Sequence, residues 1–258
     1  MELNLKGKVV VITGGGTGIG KGAALEFARE GCCVAICGRT QQKLVDTKKE
    51  LEAFGCKTYI EVADVSDIST MESFASNVCK ILGTIDCWVN NAAIAFEKKI
   101  EDVTENDWDI MNSINLKSVF FCSRIAASHM QAAGKGGVII NVSSIASVVP
   151  NPTRAIYAIT KIGINSLTRT FAGNYAPYGI RVISVIPGMT ETEMNRSLKN
   201  IPDNMALMRN AKVEEIAKPI VFLTSDAAGY ITGVNIEIAG GKLCIQKPQA
   251  AWKAAGKM

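Results

Sequence analysis

Tyr157 and Lys161 stand four residues apart in the stretch "AIYAITKIG". On a helix the two side chains share one face, one turn apart. A phenol titrates near pH 10 and is a poor proton donor or acceptor at neutral pH. A lysine ammonium one turn away stabilises the phenolate and is expected to lower the tyrosine pKa, which makes the phenol a competent acid–base group. Chance alone produces many such pairs. What gives this one weight is Ser144, which closes the run "GVIINVSS" thirteen positions before Tyr157. A hydroxyl at a strand end and a tyrosine on the following helix converge on one crevice. There they can hold and protonate a carbonyl or alcohol oxygen.

A second signal lies near the start of the chain. "TGGGTGIG", Thr13 to Gly20, follows the apolar run "KVVVI". Gly14, Gly18 and Gly20 give the spacing GxxxGxG, with Gly16, Thr17 and Ile19 between them. Glycine permits positive φ and lets backbone amides approach a pyrophosphate, and the helix that follows turns its positive end toward the anion. The segment is therefore expected to cradle a dinucleotide. The nucleotide is chosen at the end of the next apolar run, "AICGRT". The place where an acidic residue would bind a ribose 2′-hydroxyl is Gly38, and Arg39 follows it. A carboxylate there repels a 2′-phosphate, whereas a guanidinium fork pairs with one. This predicts NADP(H) rather than NAD(H). The competing reading leaves Arg39 solvated, and Thr17 is uncharged where a second cation would have strengthened the case. The cationic ring of oxidised nicotinamide would lower the Tyr157 pKa further.

These residues need a frame. Short β-branched runs alternate with longer segments of helical period. Strands are expected at 8–13, 32–37, 57–63, 85–91, 137–144, 180–188 and 233–241. Helices are expected at 20–30, 40–54, 66–82, 104–132, 153–175 and 213–224. Near-continuous apolar strands alternating with helices imply a parallel sheet covered on both faces. The expectation is an α/β chain: one Rossmann-type, doubly wound domain over 1–258, with a seven-stranded parallel sheet.

With these motifs in place, the sequence resembles the short-chain dehydrogenase/reductase family from about Lys6 to Gly241. The resemblance rests on "TGGGTGIG", "NNAA" at 90–93, Asn115 in "NSINLKSVFF", Ser144, "YAITK" at 157–161 and "IPGMTET" at 186–192. It implies that Tyr157 is the general acid or base and that Ser144 bonds the substrate oxygen. Lys161 would bind the nicotinamide ribose and tune Tyr157. Asn115 would hold a relay water and keep its helix locally distorted. Asp64 and Val65 would meet the adenine, and Asn91 the adenosine ribose. Pro187, Gly188, Thr190 and Thr192 would line the nicotinamide. The neighbouring Ser143 is read as structural. The resemblance further implies a homotetramer and a lid over the substrate at about 189–211. Ala93, Ile183 and Asn174 depart from the family pattern without touching the catalytic set.

Net charge is +4, from 28 basic and 24 acidic residues, and no basic run interleaves with aromatics. That speaks against a nucleic-acid partner. No stretch of 18 apolar residues suggests a membrane span, and the start of the chain lacks a leader pattern. A cytoplasmic protein is expected. The eight cysteines form no CxxC pair and read as buried thiols, and no cluster suggests a metal. His129, the single histidine, reads as a helix-surface or packing residue, Trp88 as a core residue and Trp108 as packing a helix start. Four methionines between Met189 and Met208 suit a bulky or apolar ketone or alcohol, or equally a packed loop. The tail, 242–258, carries four lysines and Trp252 and reads either as a docking arm or as a frayed end. The function expected is an NADP(H)-dependent alcohol dehydrogenase or carbonyl reductase. Its rivals are a 3-oxoacyl-thioester (acyl-carrier) reductase, an enoyl reductase, and a nucleotide-binding regulatory protein on the same fold.

Overall fold

The computed structural model describes residues 2–195, 205–244 and 248–256. The first strand, β1 (Val9–Thr13), is buried along its whole length. Its apolar residues alternate between two cores because successive side chains of a strand point to opposite faces. Val10 and Ile12 pack with Phe27, Ile216 and Ile220, while Val9 and Val11 pack with Phe74, Ile125 and Phe171. A strand covered on both sides has no polar face to show, which is why "VVVI" reads as an unbroken apolar run.

The other elements follow in chain order. They are α1 (Gly18–Arg29), β2 (Cys33–Gly38), α2 (Gln41–Glu52), β3 (Thr58–Val62), α3 (Ile68–Leu82) and β4 (Ile85–Asn90). Next come α4 (Glu105–Asn112), α5 (Ser118–Ala133), β5 (Gly137–Val142), α6 (Ala155–Tyr175) and β6 (Ile180–Pro187). The last are α7 (Val213–Thr224), β7 (Asn235–Ile238) and α8 (Pro248–Ala254). The sheet has seven strands in the order β3-β2-β1-β4-β5-β6-β7, and the pairs described are parallel. Chain order reverses between β1 and β4. Such a switch point opens a crevice beyond the carboxyl ends of the strands.

Below the crevice runs a buried polar chain. Trp88 Nε1 donates to Asn90 Oδ1, Asn90 Nδ2 donates to Ser123 Oγ and Asn141 Oδ1, and Asn141 Nδ2 donates to Thr168 Oγ1. Each of these polar atoms has a partner, so the network ties β4 and β5 to α5 and α6.

Several expectations change. The stretch read as one helix over 104–132 is two helices joined by a π turn, Ser113–Lys117, which is the local distortion that the resemblance implied at Asn115. Trp108, read as packing the start of α4, is 43% exposed. A polar box fixes that helix start instead, with Asp107 N donating to Thr104 Oγ1 and Thr104 N to Asp107 Oδ2. Trp88 is fully buried, as expected. All eight cysteines are free, but Cys244 is exposed and Cys33, Cys56 and Cys79 are half-buried. The tail forms α8, and Trp252 Nε1 donates to Ala206 O at 2.9 Å. Residues 196–204 of the expected lid, and 245–247 and 257–258 of the tail, lie outside the described residues. Among the described residues no helix is long and apolar enough to cross a membrane.

Candidate active site

The crevice is a cleft of about 840 Å³. At its phosphate end, Thr13 closes β1 and fastens it to the end of β4. Its Oγ1 accepts from Asn91 N and Ala92 N, and Asn91 Nδ2 donates to Thr13 O and Gly14 O. The chain then turns through Gly14, at φ +67°. Gly20 comes back so close that a Cβ there would lie 2.4 Å from both Asn91 Nδ2 and Gly14 O. The turn is tight because two backbones meet where no side chain fits.

Helix α1 starts at Gly18, and its cap residue Thr17 makes no side-chain bond to the first-turn amides. Those amides remain available to an anion, and the helix end adds a partial positive charge. Gly14, Gly16, Thr17, Gly18 and Ile19 line the cleft, whereas Gly20 packs beneath it. A pyrophosphate fits this cradle by its donors and by the space its glycines leave.

Arg39 is exposed at the lip where β2 ends, beside Thr40 and Lys43. Lys43 Nζ lies 2.6 Å from Glu193 Oε2, which joins the first turn of α2 to the segment after β6 across the cleft. Asp64 and Val65 line the same end. The Asp64 carboxylate takes two bonds through Oδ1, from Ser66 N and Ser66 Oγ. The sequence reading missed Lys43, although it stands only four residues after Arg39. The approach of Glu193 had no sequence signal.

At the other end β5 delivers Ser144, and α6 delivers Tyr157 and Lys161, all onto the cleft wall with Pro187, Gly188, Thr190 and Thr192. Ser144 sits in extended backbone at the start of a short 3₁₀ turn. Its Oγ accepts from Ala146 N, and its carbonyl accepts from Ser147 Oγ at 2.6 Å. Ser143 is buried and donates to Lys161 O, a structural bond. Lys161 Nζ donates to Val142 O at 2.8 Å and lies 5.5 Å from the centre of the Tyr157 ring.

The electrostatics differ from the sequence expectation. Burial pushes the Tyr157 phenol above its ordinary value, opposed by the Ser144 hydroxyl and the Arg154 charge. The same burial brings the Lys161 ammonium down to about 7. The groups that oppose the rise at Tyr157 are Ser144 and Arg154 rather than Lys161, whose Nζ rests on Val142 O.

Asn115 is fully buried behind the cleft wall. Its Oδ1 accepts from Ile94 N, and its Nδ2 donates to Ile94 O and weakly to Thr160 Oγ1. It thus fixes a wall residue from within the π turn. His129 Nδ1 lies 3.5 Å from Cys79 Sγ, a contact between helices remote from the cleft. Two further charged residues reach the wall unannounced. Arg154, three residues before Tyr157, was in plain view in "PTRAIYAITK". Its partner Glu97 could be placed only by the fold.

A family model described as short chain dehydrogenase matches residues 8–202. The chain is 36% identical to a 3-oxoacyl-[acyl-carrier-protein] reductase of Thermotoga maritima, covering 93% of this chain and 99% of that one. It is 34% identical to the 2-dehydro-3-deoxy-D-gluconate 5-dehydrogenase of Escherichia coli, covering 93% and 97%. The crystal structure of a short-chain type dehydrogenase/reductase from Mycobacterium marinum superposes with a TM-score of 0.91 at 31% identity, covering 95% and 98%.

Proposed function

The chain belongs to the short chain dehydrogenase family, and on that footing we propose that it is an NADP(H)-dependent oxidoreductase interconverting a secondary alcohol and a ketone. One observation carries the reading: Ser144, Tyr157 and Lys161 share one cleft with a glycine cradle that has Arg39 at its lip. A bound nicotinamide dinucleotide supplies or accepts the hydride. Ser144 Oγ holds the substrate oxygen. In reduction the Tyr157 phenol gives its proton to that oxygen as the carbonyl carbon gains a hydride; in oxidation the phenolate takes the hydroxyl proton back. Lys161 would bond the nicotinamide ribose, and Thr190 and Thr192 the nicotinamide side. Asn115 keeps Ile94 in the wall and would hold a relay water beside the π turn. At the far end Asp64, Val65 and Asn91 would receive the adenosine, and Arg39 with Lys43 the 2′-phosphate.

The segment at about 189–211 serves in this reading as a lid on one domain spanning 1–258. We also infer a cytosolic homotetramer, since Phe120, Ile159 and Ile162 leave apolar side chains exposed on α5 and α6. The acyl-carrier reductase among the relatives favours a second reading, reduction of a 3-oxoacyl thioester. A panel of secondary alcohols, ketones and acyl thioesters, run with NADPH and NADH side by side, tests the proposal. Hydride transfer favouring NADPH supports it. Tight NADPH binding with no transfer anywhere on the panel contradicts it.

A further inference from the structure

We infer that Arg154 makes this cleft a receptor for a carboxylate, so that the preferred substrate is a hydroxy or oxo acid. The inference rests on the reaction proposed above and names its substrate class. Arg154 caps α6 in a non-helical conformation, φ −127° and ψ 37°. It stands three residues before Tyr157, and the two line the same cleft as Ser144.

The guanidinium belongs to the cleft wall. Its side chain is only 17% exposed although it lines the cleft. Its charge is felt at the reacting end, where burial raises the Tyr157 pKa and Arg154, after Ser144, opposes the rise. Its protein partner leaves it incompletely used. Nε donates to Glu97 Oε1 at 3.0 Å, and Nη2 lies 3.0 Å from the same oxygen. Two of the three guanidinium nitrogens thus converge on one carboxylate oxygen, and Nη1 makes no hydrogen bond among the described residues. A guanidinium offers five donors in a planar fork that suits a bidentate carboxylate.

Glu97 is a weak competitor. Its side chain is 49% exposed, so Glu97 can turn back to water when another carboxylate takes the guanidinium. Nor is the pair needed to hold the wall together, since Lys98 N already donates to Thr153 O at 2.8 Å. The same cleft is lined by the apolar Ile94, Val149, Met189 and Met194 and by the polar Asn151 and Lys242. A neutral thioester or ester offers the guanidinium only a carbonyl acceptor, a weaker partner than a carboxylate that matches its charge and its fork.

The test compares one alcohol in charged and neutral form: 3-hydroxyhexanoate and its methyl ester, oxidised with NADP⁺ by the wild type, Arg154→Gln, Arg154→Lys and Glu97→Gln. The quantity read is the acid-to-ester ratio of kcat/KM. The wild type should favour the acid. Arg154→Gln should cut the ratio by about 10- to 100-fold, as expected for one charge-assisted bond. Arg154→Lys should restore part of it, and Glu97→Gln should raise it. A purely structural role would lower both activities together and leave the ratio unmoved, which overturns the inference. Oxidation of other alcohols but not of the acid overturns it too, while leaving the reaction class intact. If nothing on the wider panel is oxidised, the reaction class itself fails. The carboxylate site is then read by thermal shift: stabilisation by the acid but not the ester, lost in Arg154→Gln, upholds it, and its absence overturns it.

Discussion

Replacing Lys161 with methionine should flatten the pH dependence of folding stability between pH 7 and 9. The lysine is 2% exposed, and its ammonium has one hydrogen bond, to Val142 O. Burial holds its pKa at about 7, against 10.5 for the ordinary side chain. Between those values the unfolded chain binds a proton that the folded chain does not. Stability therefore rises with pH through this window and is lost as pH falls from 10.5 toward 7; below that both states are protonated and the slope ends. Integrated from pH 7 to 9, the gain is about 2 kcal/mol. The buried thiols Cys32, Cys37, Cys87 and Cys122 have pKa values raised above 9.0 by burial, so they act in the opposite sense at higher pH. They are common to both proteins and cancel in the difference. The assay is urea unfolding of cofactor-free wild type and Lys161→Met at pH 7, 8 and 9, at one protein concentration. The stability difference should shift by about 2 kcal/mol in favour of the wild type as pH rises. A difference that stays constant across the three pH values would refute the claim that Lys161 is held near neutrality by burial.

Two other substitutions probe the nucleotide end. Arg39→Asp should lower the NADPH-to-NADH ratio of kcat/KM by at least about 100-fold, because a charge-assisted bond is exchanged for repulsion; an unchanged ratio would remove the argument for the 2′-phosphate. Gly20→Ala should destabilise the protein by about 1–3 kcal/mol and weaken NADPH binding, because the new methyl lands on Asn91 Nδ2 and Gly14 O. Calorimetry and a fluorescence titration read the two effects, and wild-type values in both would show that the turn has room to spare.

Much of the fold was written in local sequence. The buried strands announced themselves as apolar runs because both faces are covered, and helix α7 begins and ends where its period does. Ser144, Tyr157 and Lys161 were legible because strand end and helix face are local properties. The charge state of the pair was not. The lysine that a spacing argument casts as the activator of the phenol is itself depressed by burial, and only the packed structure shows which carbonyl it rests on. Pairings across long separations were equally hidden. Nothing near Arg154 in the sequence points to Glu97, and nothing near Lys43 points to Glu193, because the sheet order brings those segments together. The π turn at Ser113–Lys117 was implied only by family resemblance, since its residues read as ordinary helix formers.

The central claim is that Tyr157 moves the proton. Tyr157→Phe keeps the ring over Lys161 and removes only the hydroxyl. Measured against the best substrate of the panel, with NADPH affinity followed by fluorescence in parallel, the variant should lose at least about 10³-fold in kcat while binding NADPH within a few-fold of wild type. Turnover near the wild-type rate in Tyr157→Phe, with the cofactor bound, would contradict the account.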